Sequence, residues 1–122
     1  MSAGRHYLAP LLWALFAFGL GSVPDVPAPD WALPLDKLAH LLLYGVLGVL
    51  LGRAWRRAGE RPGPPVLIAL AVLAGALDEL HQARVPGRSP EMADWLMDVV
   101  GAATGFALGA AMTRRRYTPT DD

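Results

Sequence analysis

The chain contains no cysteine. Disulfides, thiolate nucleophiles and cysteine-based zinc sites are therefore excluded. Charge is also scarce: Asp, Glu, Lys and Arg make up 18% of the residues, below the roughly 25% usual in soluble domains. The 11 basic and 11 acidic residues cancel, so no global field draws in nucleic acid. No HExxH, GxSxG or phosphate-binding glycine loop occurs, which removes the local signatures of zincin, α/β-hydrolase and P-loop chemistry.

In their place stands hydrophobicity. Apolar residues account for 53% of the 122, and mean hydropathy is +0.31. One domain fills that length. The apolar residues gather in four stretches, over about 7–23, 35–55, 65–83 and 93–112. At 1.5 Å per residue each reaches roughly 25 to 31 Å, enough for a hydrocarbon layer near 30 Å. The expected fold is an all-α, four-transmembrane-helix bundle, multi-pass, forming a single transmembrane domain. Proline-rich breaks separate the helices: Pro24 to Pro34, Arg61 to Pro65, and Val85 to Pro90, where Ser89 is placed to cap and Pro90 to open the fourth helix. A cleaved signal peptide is the competing reading for residues 1–23. The apolar run continues through Phe16, Phe18, Leu20 and Val23, beyond a typical signal core.

Arginine placement orients the bundle, because cytoplasmic loops accumulate Lys and Arg. Arg5, Arg53, Arg56, Arg57, Arg61, Arg114, Arg115 and Arg116 share one side if four spans alternate, and Lys37, Arg84 and Arg88 the other. Both termini are thus expected in the cytoplasm, with residues 113–122 as a tail that contacts anionic lipid and loses order beyond Tyr117. Trp31 and Trp95 would mark the outer interface and Trp55 the inner one.

Ionisable side chains at membrane depth are costly and normally find partners. Asp36, His40 and Tyr44 lie at i, i+4, i+8 on one face of the second helix. On the third, Asp78, His81 and Gln82 share a face, with Glu79 turned about 100° away. Asp94 and Asp98 form an i, i+4 pair on the fourth. Chain direction places all of them within about one turn, roughly 6 Å, of a common level beneath the outer surface. Gly101, Gly105 and Gly109 continue the Asp94/Asp98 stripe as GxxxGxxxG, and Gly45, Gly48 and Gly52 thin the second helix. Such faces allow close helix approach within the chain or self-association into a homo-oligomer.

The ordered set Asp36-Lys37-x-x-His40-x-x-x-Tyr44, Asp78-Glu79-x-x-Gln82, Pro86-x-Arg88 and Asp94-x-x-x-Asp98-x-x-Gly101-x-x-x-Gly105 resembles the VanZ-like family of bacterial membrane proteins. That family takes its name from a protein associated with reduced susceptibility to the glycopeptide teicoplanin. The resemblance covers about residues 35 to 110 and implies a place in the cell envelope, at a bacterial plasma membrane, with Glu79, Gln82, Arg88 and Asp94 as signature positions. Where the family often has Asn on the fourth helix, this chain has Asp98, which adds a negative charge.

Several readings of the cluster remain open at this level. As a structural fastening, Asp36 caps, Lys37 snorkels, His40 bonds Tyr44 or a carboxylate, and Arg88 pairs with Asp94. As a binding module, an outward polar pocket takes a lipid-linked envelope precursor or an amphiphilic antibiotic, with Arg84, Arg88 and Lys37 attracting phosphate. As an intramembrane enzyme acting on an envelope lipid, it uses His40 or His81 as base, Asp78 or Asp98 to orient that base, and Glu79 as acid. A divalent metal held by His40, Asp78, His81 and Asp98 is a variant of the enzyme reading. A proton-coupled transporter is disfavoured, since the polar groups gather at one level with no route across. The excess of acids argues against mere fastening: close carboxylates cannot all ionise cheaply, so shared protons or a bound cation are expected.

Overall fold

The computed structural model describes residues 2–24, 31 and 33–114. A 3₁₀ segment, Ala3–Tyr7, leads into four helices: α1 (Leu8–Gly21), α2 (Leu33–Arg57), α3 (Pro64–Gln82) and α4 (Met92–Arg114). There is no strand among the described residues. The Pro-rich segment between α1 and α2 falls mostly outside them, as does the tail from residue 115.

Three helices carry stretches long and apolar enough to cross a bilayer, Leu35–Arg57, Pro64–Gln82 and Met92–Thr113. The expected first span, 7–23, is shorter: α1 has 14 residues, about 21 Å at 1.5 Å per residue. Pro10 explains part of this, since it has no amide hydrogen with which to continue an α pattern back to His6, and the residues before Leu8 wind as 3₁₀ instead. The outward faces of all four helices are nevertheless apolar. Leu12, Leu42, Leu73 and Leu108 are each more than half exposed, while the interior holds six buried polar or charged side chains. That inversion belongs to a protein solvated by lipid rather than water.

The closest pairing is between α2 and α4, and glycine makes it possible. A Cβ on Gly48 would lie 2.8 Å from the Phe106 amide nitrogen, one on Gly52 2.7 Å from that of Ala110, and one on Gly101 3.0 Å from that of Gly45. The two backbones therefore touch along three turns, with Tyr44, Leu47 and Ala102 filling the core toward Ala71 of α3. Phe106 and Ala110 pack with Leu67 lower down. The Trp13 indole of α1 donates to the Leu43 carbonyl (2.7 Å) and the Tyr7 hydroxyl to that of Arg61 (2.7 Å), which docks α1 against α2 and the α2–α3 connection.

The connections are built by sequence-specific turns. α2 ends in a Schellman arrangement: Gly59 takes φ +77° and the Glu60 amide reaches back to the Trp55 carbonyl at 2.8 Å. α3 opens with Pro64 after Gly63 in extended conformation. Between α3 and α4, Pro86 and Gly87 (φ +77°) form a tight turn closed by Arg88 N–H to the Val85 carbonyl, 3.1 Å, the arrangement in which only glycine is comfortable at the third position. α4 begins at Met92, two residues after the expected Pro90 start, because Glu91 supplies the first helical acceptor. Its carbonyl takes the Asp94 amide at 3.1 Å.

If backbone contact holds α2 to α4, Gly105→Leu will sharply lower the thermal midpoint of the purified chain in detergent. Gly19→Leu, where a side chain meets nothing within 4 Å, will leave it within a few degrees of the parent.

Candidate functional site

The α2–α4 seam fixes which side chains meet at the end of the bundle opposite Tyr7 and Arg61. His40 Nδ1 lies 2.8 Å from Asp98 Oδ1, and its Nε2 lies 3.7 Å from Asp94 Oδ2. Asp98 is the most enclosed of all, 1% exposed. Lys37, one turn above His40, donates to Asp94 Oδ1 at 2.6 Å and also to Glu91. Asp36 is half-buried and offers an oxygen within 4.8 Å of ligand atoms on His40 and Asp94. Backbones in contact thus bring short acids on α4 against basic side chains on α2.

α3 adds a second arc. Asp78, Glu79 and Gln82 are all buried. The Tyr44 hydroxyl donates to Asp78 Oδ2 at 3.4 Å, and Glu79 Oε2 accepts the Glu91 amide at 3.1 Å, so Glu79 helps set the start of α4. Gly75 lets α3 approach α4: a Cβ there would stand 3.2 Å from Asp98 Oδ2 and 3.3 Å from the Trp95 ring. Gly21 does the same for α1, where a Cβ would come within 2.7 Å of Asp78 Oδ1 and 3.2 Å of Gln82 Nε2.

Three sequence expectations are corrected here. Glu79, expected to turn away, points into the bundle, while His81 faces α1, stacked on Phe18 at 4.5 Å between ring centres and 2.8 Å from the Ser22 hydroxyl. Adjacent helical positions differ by 100°, and packing against α1 and α4 selected the arc centred on Asp78 and Glu79. The metal set His40, Asp78, His81, Asp98 is consequently not assembled; His40, Glu79 and Asp98 are the residues whose ligand atoms gather, with Asp36, His40 and Asp94 as a second, shallower trio. Arg88 does not pair with Asp94. The Pro86-Gly87 turn sends it to α1, where Nε donates to the Val23 carbonyl (3.0 Å) and Nη2 to that of Leu20 (3.4 Å), tying the α3–α4 turn to the end of α1. Trp95 is half-buried, and its indole donates to the Val72 carbonyl at 3.2 Å.

Residues that sequence reasoning passed over include Glu91, Ser22, Gly21 and Gly75. Glu91 stands three residues before Asp94, a same-face helical spacing, and that signal was available. The other three depend on how α1 and α3 dock, which no local pattern records.

The charge balance is uneven. Asp36, Asp78, Glu79, Asp94 and Asp98 converge, and among the described residues only Lys37 and His40 form ion pairs with them. Asp78 Oδ1, Glu79 Oε1 and Asp98 Oδ2 are buried with no hydrogen-bond partner. Each is an acceptor that has left water without replacement.

Two substitutions test these assignments. Lys37→Met leaves the buried Asp94 with only His40, at 3.7 Å, a loss of about 1–3 kcal/mol, and combining it with Asp94→Asn will recover most of the lost thermal midpoint. Arg88→Ala will raise amide hydrogen exchange at the end of α1, over 18–23, and leave protection in α2 and α4 unchanged.

No curated protein and no solved structure gives a significant match. The family model for VanZ/LLP1 matches residues 6–113, which takes in all four helices and every member of the polar cluster. Long apolar helices, apolar outward faces and that match make this a membrane protein, and the chain belongs to the VanZ/LLP1 family.

Proposed function

We propose that the protein is an envelope membrane protein of bacteria that binds a lipid-linked or amphiphilic ligand, its polar head at the outer acid-histidine layer and its apolar chain along the bundle. The observation that carries this reading is an apolar groove of about 370 Å³ that runs from Tyr7 and Pro62 up to Leu47 and Ala74, one helical turn short of the polar layer. Leu11 and Ala14 of α1, Leu47 and Leu51 of α2, and Leu70 and Ala74 of α3 line it. Leu47 lies one turn from Tyr44 and Ala74 one turn from Asp78, so the Tyr44–Asp78 hydrogen bond stands one turn beyond the end of the apolar wall. Leu11 and Leu70 are more than half exposed, which gives a chain lateral entry from lipid. An apolar slot leading toward a few convergent polar groups suits an amphiphile. Arg84, exposed at the same end, supplies charge for a phosphate-bearing head such as that of a lipid-linked wall precursor, and an amphiphilic antibiotic has the same two-part chemistry.

In this reading the layer faces outward across the plasma membrane and both termini lie in the cytoplasm, with α1 completing the passage as a short fourth crossing. Arg53, Arg56, Arg57 and Arg61 at the opposite end support that orientation by their number. A second reading, an intramembrane enzyme acting on an envelope lipid, is favoured by one observation: His40 is held by the enclosed Asp98 at 2.8 Å, as a general base would be.

Because the chain has no native cysteine, single-cysteine variants report orientation without background. A membrane-impermeant maleimide applied to intact cells will label Ser89→Cys and not Arg57→Cys or Ser2→Cys; the reverse pattern, or labelling of Ser2→Cys, contradicts the proposed orientation. For the ligand, the full chain in lipid nanodiscs will be saturably photolabelled by a diazirine-bearing polyprenyl phosphate. Ala74→Trp, which fills the groove, will reduce labelling at least tenfold. Labelling that neither saturates nor responds to Ala74→Trp is that of annular lipid and rejects the reading. Product formed from the same lipid and lost in His40→Ala but kept in His81→Ala would favour the enzyme instead.

A further inference from the structure

His40, Glu79 and Asp98 come from three different helices, yet each offers a ligand atom within 4.8 Å of the other two. All three are more than nine-tenths buried, at 7%, 8% and 1% exposure. Two oxygens in this set, Glu79 Oε1 and Asp98 Oδ2, have no hydrogen-bond partner. Lys37 cannot supply the missing positive charge, since it is held by Asp94 and Glu91 one turn above. We propose that His40, Glu79 and Asp98 bind a single divalent metal ion of the zinc or manganese class.

The donor set fits that class, because one imidazole and two carboxylates suit borderline cations and leave coordination positions open. The spacing fits as well. Two donors held about 2.1 Å from one ion stand roughly 3 to 3.4 Å apart, and His40 Nδ1 and Asp98 Oδ1 are 2.8 Å apart, so a small outward shift admits an ion in place of the hydrogen bond. Space beside the unpartnered oxygen is kept by glycine: a Cβ on Gly75 would press to 3.2 Å from Asp98 Oδ2. The shallower trio of Asp36, His40 and Asp94 is the poorer site. There the Lys37 ammonium, 2.6 Å from Asp94, repels a second cation, and Asp36 is only half-buried. A divalent ion in the deeper trio would offset the excess of carboxylates that Lys37 and His40 leave uncompensated. Asp98 supplies one of the two negative ligands.

The site requires no ligand in the groove, so it stands apart from the amphiphile reading. Full-length protein in detergent, stripped with EDTA and dialysed, is titrated with zinc chloride and with manganese chloride by calorimetry, and its metal content is measured by elemental analysis after gel filtration. One ion per chain is expected, with a rise in thermal midpoint. Glu79→Gln will weaken binding about 10- to 100-fold, as will Gly75→Val, which adds no charge change and fills the space beside Asp98. Asp36→Asn and His81→Ala will leave affinity unchanged. Circular dichroism of each stripped variant identifies any that has not folded, and the two routes of disruption back each other up. Absence of binding tighter than about 1 mM, stoichiometric binding indifferent to both Glu79→Gln and Gly75→Val, or a loss caused equally by Asp36→Asn would each overturn the assignment. Photolabelling of the groove in the stripped protein separates the two proposals: labelling that persists without metal leaves the groove reading intact whichever way the titration falls.

Discussion

A carboxylate buried beneath a membrane surface has no water to turn to, and the arrangement of this bundle follows from supplying it with something else. Asp98 is almost fully enclosed and is reached by His40; Asp94 is reached by Lys37 and more distantly by His40. Those contacts exist only because α2 and α4 lie backbone to backbone on Gly45, Gly48, Gly52, Gly101, Gly105 and Gly109. Lipid gives such a pair of helices no hydrophobic reason to associate. The small-residue seam and the ion pairs at its polar end are therefore two halves of one device: close approach makes the pairs possible, and the pairs hold the seam in register.

The other two helices are fitted around that pair. α3 presents Asp78, Glu79 and Gln82 to it and reaches Asp98 across Gly75, while α1 closes the side through Gly21, the Trp13 indole and the carbonyls that Arg88 covers. One end of the bundle is thereby polar inside and the rest apolar, and the groove between α1, α2 and α3 lies in the apolar part, ending at Leu47 and Ala74 one turn below Tyr44 and Asp78. An amphiphile bridges those regimes by its own construction. The acids at the junction outnumber the cations, Lys37 and His40, that pair with them.

Much of this was legible in the residues because its causes are local and periodic. The Asp94/Asp98 spacing, the Asp36/His40/Tyr44 stripe and the glycine repeats are all helix-face patterns, and the direction of each helix puts their polar ends at one level. The turns after Arg57 and before Arg88 are written in Gly59 and in Pro86-Gly87. Other features depend on how one face settles against another. Whether Glu79 or His81 turns inward is a rotation of the third helix that the packing of α1 and α4 decides. Arg88 could reach toward Asp94 or toward α1 until the Pro86-Gly87 turn fixes its direction. That the Trp95 indole finds the Val72 carbonyl depends on the same docking of α3 against α4. The length of α1 was misjudged because hydropathy counts apolar residues without noticing that Pro10 delays the α-helix.

The link between His40 and Asp98 is the point at which the whole arrangement is most exposed to test. A double-mutant cycle of His40→Ala, Asp98→Asn and their combination, read as unfolding free energy in detergent micelles, measures it directly. Two groups that satisfy each other in an enclosed site should couple by about 1–3 kcal/mol, so the double variant should unfold at nearly the same point as the worse single one. Strictly additive losses, with no coupling beyond about 0.5 kcal/mol, would mean that the two side chains do not depend on each other and that the bundle is held by something else.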